Sequence, residues 1–335
     1  VSPPLEFGLF DWIDLAPGAD PAAVYDGRLA LLAEADRAGF AVYHLAEHHG
    51  TPLGLAPSPA VFLAAAARVT SRIRLAPTTF VVPLYDPLRL AEEIAMLDQL
   101  SHGRLEVGVG RGSSPFEAGM FGLTGEQAAE GFADLLPVVL EALETGVFRR
   151  PGAEPVELSV SARQRPHPPL WYPTSNPASI PRLGAQGYHV LFGFGFVAPP
   201  LDVLRAQSRA FFAGVRPGAS PRFGIMRHVL VAPTDEEAMA LARPAFADHY
   251  TAFAHLWRRH GSDRFAEPAD PHRLVAEGRM FVGAPATVAR QIAAAIDGTE
   301  VNYVAGAFAW GSLEHTAALR SLRLFRDEVV PAMGG

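Results

Sequence analysis

The sequence reads as a single α/β domain over residues 1–335, a (β/α)8 TIM barrel with loop insertions. Three features point there. Short β-branched and aromatic runs alternate with longer Ala/Leu segments of helical period, as in βα units around a parallel sheet. Eight strand-like runs can be counted, whereas each half of a doubly wound dinucleotide fold carries about three. No low-complexity tract or Gly/Ser linker divides the 335 residues, a length that suits one large barrel or two ordinary domains.

The elements follow in order. Leu5–Phe10 reads as a strand, Ala22–Ala38 as a helix, Ala41–Ala46 as a strand, and Ser58–Thr70 as a helix with Ser58 as its cap and Pro next. Ile73–Val82 (strand), Pro87–Leu100 (helix), Arg104–Val109 (strand) and Gly125–Glu144 (helix) complete four units, with a turn at Ser101-His-Gly. Leu170–Tyr172, Tyr188–Phe192, Phe223–Val231 and Asn302–Phe308 are the remaining strands. Ile180–Gln186, Leu201–Ala213, Glu236–Trp257 and Leu313–Val329 are their helices. The length in excess of a minimal barrel falls in Arg149–Pro169 and Arg258–Met280, loops long enough to cover an active site.

Composition narrows the functional class. Lys+Arg 28 against Asp+Glu 35 gives a net charge of -7, so there is no basic field for a nucleic-acid backbone or an anionic membrane. Hydrophobic residues make up 49% of the chain, yet every apolar stretch stops short of the ~20 residues that span a bilayer. With no cysteine, a disulfide-stapled scaffold is excluded. The N-terminal Val1-Ser-Pro-Pro-Leu-Glu shows no basic segment followed by an apolar one, and a cytoplasmic location is the expectation.

In a barrel the reactive groups belong just after the strands, at their C-terminal ends. Glu47-His48-His49 follows the second strand. With His44 these residues could be read as a metal site, but Val42-Tyr-His-Leu-Ala is strand-like and adjacent side chains there point to opposite faces, so no metal is expected. His44 reads as a hydrogen-bonded core residue, and His48 and His49 either as site residues or as solvated loop histidines. Gly108-Val-Gly-Arg-Gly follows the fourth strand but lacks the helix a dinucleotide fingerprint needs. It suits a pocket floor that leaves room for a flat ring at Gly110, with Arg111 either meeting an anion or closing a rim salt bridge. Thr174-Ser175-Asn176 and Ser179 lie between a strand and a helix N-terminus, where hydroxyls, amides and main-chain N–H groups favour phosphate or simply cap the helix. Phe7, Phe10, Trp12, Phe80, Phe192, Phe194 and Phe196 could line an apolar pocket or belong to the core.

These residues resemble the bacterial luciferase-like flavin-dependent monooxygenase superfamily. The resemblance runs through Glu6-Phe-Gly, Ala38-Gly-Phe, Leu45-Ala-Glu-His-His, Leu75-Ala-Pro-Thr-Thr, and Leu97-Asp-Gln-Leu-Ser-His-Gly-Arg-Leu-Glu-Val-Gly-Val-Gly-Arg-Gly. Pro166-His-Pro-Pro-Leu-Trp and Val282-Gly-Ala-Pro-Ala-Thr-Val are similar to later landmarks of the family. It implies catalytic roles for His48, as the active-site histidine, and for Glu47, as the adjacent carboxylate near the flavin. It also implies a non-prolyl cis peptide at Thr78-Thr79 against the flavin ring, a cofactor-contacting Arg111, and a phosphate turn at Ser175, Asn176 and Ser179. One departure stands out. Where the family often has a phosphate-contacting arginine, this chain reads Gln127-Ala-Ala-Glu-Gly, leaving the phosphate to Arg111 and the Ser175 turn, to Arg163 or Arg165, or to loose binding.

The reaction so implied uses reduced FMN and O2, by way of a flavin C4a-peroxide, to oxygenate a small organic substrate, with the reduced flavin delivered by a separate reductase. A homodimer through helices Ser58–Thr70 and Leu88–Leu100 is also implied. Two alternatives are an F420-dependent hydride-transfer oxidoreductase on the same barrel and a non-catalytic flavin-binding protein.

Overall fold

The computed structural model describes residues 5–267 and 269–334; residues 1–4, on which the reading of the N-terminal stretch rests, lie outside them. Parallel strands β1 (Glu6–Asp11), β2 (Val42–Leu45), β3 (Arg74–Pro77) and β4 (Val107–Gly110) form one half of the barrel. The other half is β5 (Leu170–Thr174), β6 (His189–Phe194), β7 (Phe223–Val231) and β8 (Tyr303–Ala307). β8 pairs with β1 in the register Glu6↔Tyr303. Between β3 and β4 the ring closes through Leu75 N–H to Arg104 O (3.0 Å) and Glu106 N–H to Leu75 O (2.9 Å).

The helices begin and end where local chemistry directs. In α1 (Pro21–Ala38), Asp20 accepts from Ala22 N–H and Gly39 ends the helix in the left-handed region at φ 82. α2 (Pro59–Val69) starts behind Ser58, whose side chain makes no capping bond, contrary to expectation. α3 (Pro87–Leu100) is capped by Asp86, and α4 (Gly125–Thr145) by a Thr124/Gln127 capping box. α5 (Ile180–Gln186), α6 (Leu201–Ala213), α7 (Asp235–Arg259) and α8 (His315–Leu324) follow β5, β6, β7 and β8. No helix among the described residues is long and apolar enough to cross a membrane.

Three expectations needed correction. Ile73–Val82 is two strands, because the chain leaves the sheet at Thr78 and Phe80–Val81 then pairs with Val109–Gly110 of β4. Arg149–Pro169 does not cover the strands' C-terminal ends. It leads into β5 and so packs at the opposite end, where Gln164 Nε2 donates to Asp98 Oδ1 (2.7 Å) and Leu105 O (2.7 Å). The Arg258–Met280 stretch does border the cavity at the strands' C-terminal ends, through Arg264 and Phe265, but it is not all loop: it contains a turn at Asp263–Phe265 and a helix at Pro271–Ala276. It leads into a further parallel strand, Met280–Gly283, which pairs with the C-terminal half of β7 and was not read from the sequence.

Candidate active site

The C-terminal ends of the strands surround a cavity of about 1330 Å³. Glu47, His48, Thr78, Thr79, Gly110, Arg111, Ser175, Asn176 and Ser179 all line it. The structure thus brings together the residues that the resemblance placed at the flavin, together with Gly110. Of the aromatic residues named with them, Phe10, Trp12 and Phe194 reach the cavity, Phe7, Phe80 and Phe192 are buried elsewhere in the core, and Phe196 packs against Phe246, Tyr250 and Phe253.

The floor is the chain that leaves β3. Its Thr78–Thr79 peptide is cis, as the resemblance implied. Two glycines of β4 admit this backbone. A Cβ on Gly108 would lie 2.4 Å from Pro77 O, and one on Gly110 would lie 3.0 Å from both Thr79 Oγ1 and Thr79 Cγ2. The room these glycines leave is therefore taken up by the chain itself, and the open space lies above Thr79. His44 supports the floor from below, with Nδ1 2.8 Å from Thr78 Oγ1 and Nε2 2.9 Å from the Tyr303 hydroxyl. Burial drives its pKa down to about 3, so it is a neutral core imidazole, as expected.

Two carboxylate–imidazole pairs stand at the end of β2. His49 Nε2 lies 3.0 Å from Glu47 Oε1. The other Glu47 oxygen accepts from Val81 N–H (3.2 Å) and Tyr85 O–H (2.8 Å), so both oxygens are engaged with the protein. Burial and the neighbouring Glu47 raise the Tyr85 pKa, which keeps its proton available for that bond. His48 Nδ1 lies 3.1 Å from Glu117 Oε1, and the same oxygen accepts from His49 N–H at 2.7 Å. Burial acts to raise the Glu117 carboxyl, but the bonds from His48, His49 N–H and Ser114 outweigh it and hold the group below its ordinary range. Glu117 escaped the sequence reading. Ser114 precedes it at capping spacing and does cap the short helix Pro115–Met120, but the glutamate side chain turns to His48 instead of closing a capping box.

In the turn after β5 the capping use is realised at two residues, while Ser175 stays free. Asn176 Oδ1 accepts from Ala178 N–H (3.1 Å), and Ser179 O–H donates to Asn176 O (2.8 Å), so these two groups stabilise the turn. Ser175 is exposed to the cavity, with no side-chain partner among the described residues. Arg182, three residues after Ser179 and so on the same side of α5, also lines the cavity and was missed. The alternatives Arg163 and Arg165 do not reach it. Arg165 donates to Leu143 O (3.3 Å) and Glu144 O (3.4 Å), and the Arg163 main chain is held by Asp98, both at the far end of the barrel. Arg111 is exposed and forms no salt bridge among the described residues, so the rim-bridge alternative is not realised. Arg264 lies over the Trp257 ring at 4.7 Å, and both line the cavity.

A parallel barrel with an imidazole, two engaged carboxylates and a hydroxyl- and amide-bearing turn around one large cavity has the form of a cofactor-using barrel enzyme. The chain belongs to the luciferase-like monooxygenase family, whose model matches residues 5–315, and it is an enzyme of the oxidoreductase class. It is similar to the protein y4wF of Sinorhizobium fredii, at 33% identity over 98% of each chain. It also resembles the oxygenase component of the flavin-dependent trigonelline monooxygenase of Acinetobacter baylyi, at 27% identity over 65% of this chain and 62% of that one. Among solved structures, the oxygenating constituent of 3,6-diketocamphane monooxygenase from Pseudomonas putida in complex with FMN superposes with a TM-score of 0.79. It is 23% identical, with 98% of each chain covered.

Proposed function

We propose that this chain is the oxygenase of a two-component system that takes reduced FMN from a separate reductase and uses O2 to oxygenate a small organic substrate. The carrying observation is the cavity. At about 1330 Å³ it exceeds the ~300–1000 Å³ of a typical single-ligand pocket, which leaves room for a flavin and a substrate together. The residues present suit FMN. Ser175, Arg182 and Arg111 would hold its phosphate, and Thr78, Thr79 and Gly110 would form the floor beneath its ring. When bound, the reduced flavin supplies the electrons that activate O2. The relative described as an oxygenase component supports a partner reductase.

The protein's own work is to shape and dry the site. Phe10, Trp12 and Phe194 give the cavity an apolar wall suited to an organic substrate and hostile to water. His48 sits where a proton can be moved at the ligand. Because both Glu47 oxygens are engaged, we assign Glu47 as a brace that joins His49 to the floor, in place of the catalytic role the resemblance implied. Three arginines, Arg111, Arg182 and Arg264, exceed what one phosphate needs and favour F420, with its polyanionic tail, as the second reading.

We also propose a homodimer through α2 and α3, whose outer faces expose Val61 (72%), Met96 (51%) and Leu100 (37%). A cytoplasmic location fits this reading.

The test is anaerobic titration with reduced FMN, then rapid mixing with O2 while near-ultraviolet absorbance is followed. The expected result is saturable binding and a transient species distinct from reduced and oxidised flavin. His48→Ala should bind FMN normally and release hydrogen peroxide faster. Binding without a transient would sink the oxygenase reading, and F420 titration would then separate the hydride-transfer enzyme from a non-catalytic flavin carrier.

A further inference from the structure

We infer that Glu117 is a positioning residue that keeps the proton of neutral His48 on Nδ1, so that a bare Nε2 faces the cavity and His48 accepts a proton there instead of donating one. This rests on reading the cavity as the active site.

The argument is one of donors and acceptors. An ionised carboxylate only accepts hydrogen bonds, so the hydrogen in the 3.1 Å contact between His48 Nδ1 and Glu117 Oε1 belongs to the imidazole. A neutral imidazole with its hydrogen on Nδ1 has a lone pair on Nε2. That nitrogen has no protein partner among the described residues, and His48 lines the cavity. Once His48 gains a proton, the adjacent carboxylate stabilises the imidazolium, a role that orients and supports the base without contact to the ligand.

Glu117 is fixed against rearrangement. Its Oε1 also accepts from His49 N–H at 2.7 Å, so it cannot leave His48 without stranding that donor. His49 is in turn held by Glu47. The helix carrying Glu117 is clamped on both sides: Phe116 stacks on His260 at 4.4 Å and meets the edge of Trp257, while Phe121 just beyond the helix packs edge-on to His49 at 4.8 Å. His48 is thus oriented from the β4 side of the barrel by a residue 69 positions away in sequence.

The experiment is long-range 15N–1H correlation NMR of the histidine rings, with His48 assigned by its loss in His48→Gln. It is run on the full chain without cofactor, alongside Glu117→Gln and Glu117→Leu. The wild type should show His48 protonated on Nδ1. Glu117→Gln, whose amide oxygen still accepts, should keep that form, and Glu117→Leu should shift it toward Nε2. In parallel, the decay rate of the flavin–O2 transient should change by about 10-fold in Glu117→Gln and about 100-fold in Glu117→Leu, with reduced-FMN affinity within about twofold. A wild-type His48 protonated on Nε2 overturns the inference whether or not the leucine variant folds, and so does a tautomer that ignores Glu117→Leu. Failure of FMN to bind would overturn the cofactor reading while leaving the NMR result standing.

Discussion

Adding one methyl group at either of two glycines of β4 should have sharply different consequences. In Gly108→Ala the new Cβ would sit 2.4 Å from Pro77 O and 3.0 Å from Thr78 Cα, both main-chain atoms. Ordinary carbon contacts lie near 3.5 Å, so the chain beneath the cavity must move by about 1 Å. Overpacking a core costs about 1–3 kcal/mol, and because no side chain can rotate away here we expect the upper part, about 2–3 kcal/mol. In Gly110→Ala the Cβ would meet only the Thr79 side chain, at 3.0 Å, and rotation of that side chain should hold the loss to about 1 kcal/mol. Thr79 lines the cavity, however, so its displacement should weaken reduced-FMN binding by about tenfold. Urea unfolding followed by tryptophan fluorescence reads the first quantity, since Trp171 and Trp310 are fully buried, and anaerobic flavin titration reads the second. Equal stability of the two variants, or a Gly110→Ala protein that binds FMN like the wild type, would refute the account of the floor.

Other outcomes follow from the same geometry. Arg182→Ala and Arg111→Ala should each weaken FMN binding by about 10- to 100-fold, the value of a charge-assisted hydrogen bond, while riboflavin, which lacks the phosphate, should bind both variants like the wild type; equal losses for both ligands would remove the phosphate assignment. Burial drives His44 down to about 3 and His189 to about 4, and lowers His228 as well. Between pH 6.5 and 5 the unfolded chain takes up protons at these positions and the folded one does not, so stability falls as pH falls, by about 1.4 kcal/mol per pH unit for each histidine. His44→Asn should lower that slope by about one histidine's share in urea titrations at several pH values, and an unchanged slope would contradict a neutral His44. Val61→Asp with Met96→Lys should yield a monomer by sedimentation if α2 and α3 form the dimer face, and an unaltered assembly would rule that face out.

The barrel was legible because its strands and helices differ in residue type as well as period, and the site was legible because its residues follow directly on strands. Glu117 and Arg182 were less so for different reasons. Glu117 meets His48 across 69 residues of sequence, a distance no local pattern encodes. Arg182 had a local signal, its i,i+3 relation to Ser179, that went unused. The misplaced Arg149–Pro169 loop was also within reach: a connection that leads from a helix into a strand returns to the strand's N-terminal end, opposite the site. The break in Ile73–Val82 was not legible, because the threonines at which the chain leaves the sheet are themselves strand-favouring residues.

The electrostatics of the cavity run against those of the molecule. The chain carries a net charge of -7, yet around the cavity it is the cations that stand free. Elsewhere two buried or half-buried arginines stand against acids, Arg28 with Asp11 and Asp14 and Arg222 with Glu6 and Glu106, while buried Arg227 donates to the Gly278 and Met226 carbonyls. In the cavity the pattern is inverted. Glu47 and Glu117 are engaged by His49, Val81, Tyr85 and His48, whereas Arg111 and Arg264 meet no carboxylate among the described residues and Arg182 meets only the neutral Gln186. A guanidinium left without an acid beside a cavity is an unfilled demand for planar, two-toothed hydrogen bonding, which phosphate and carboxylate groups satisfy. Had these arginines served only to balance the protein's own charge, they would sit beside its excess of acids. Three such arginines along the lining of a cavity that also has an apolar wall fit a ligand with both an anionic group and an apolar part, and they do so independently of the histidine chemistry at the end of β2.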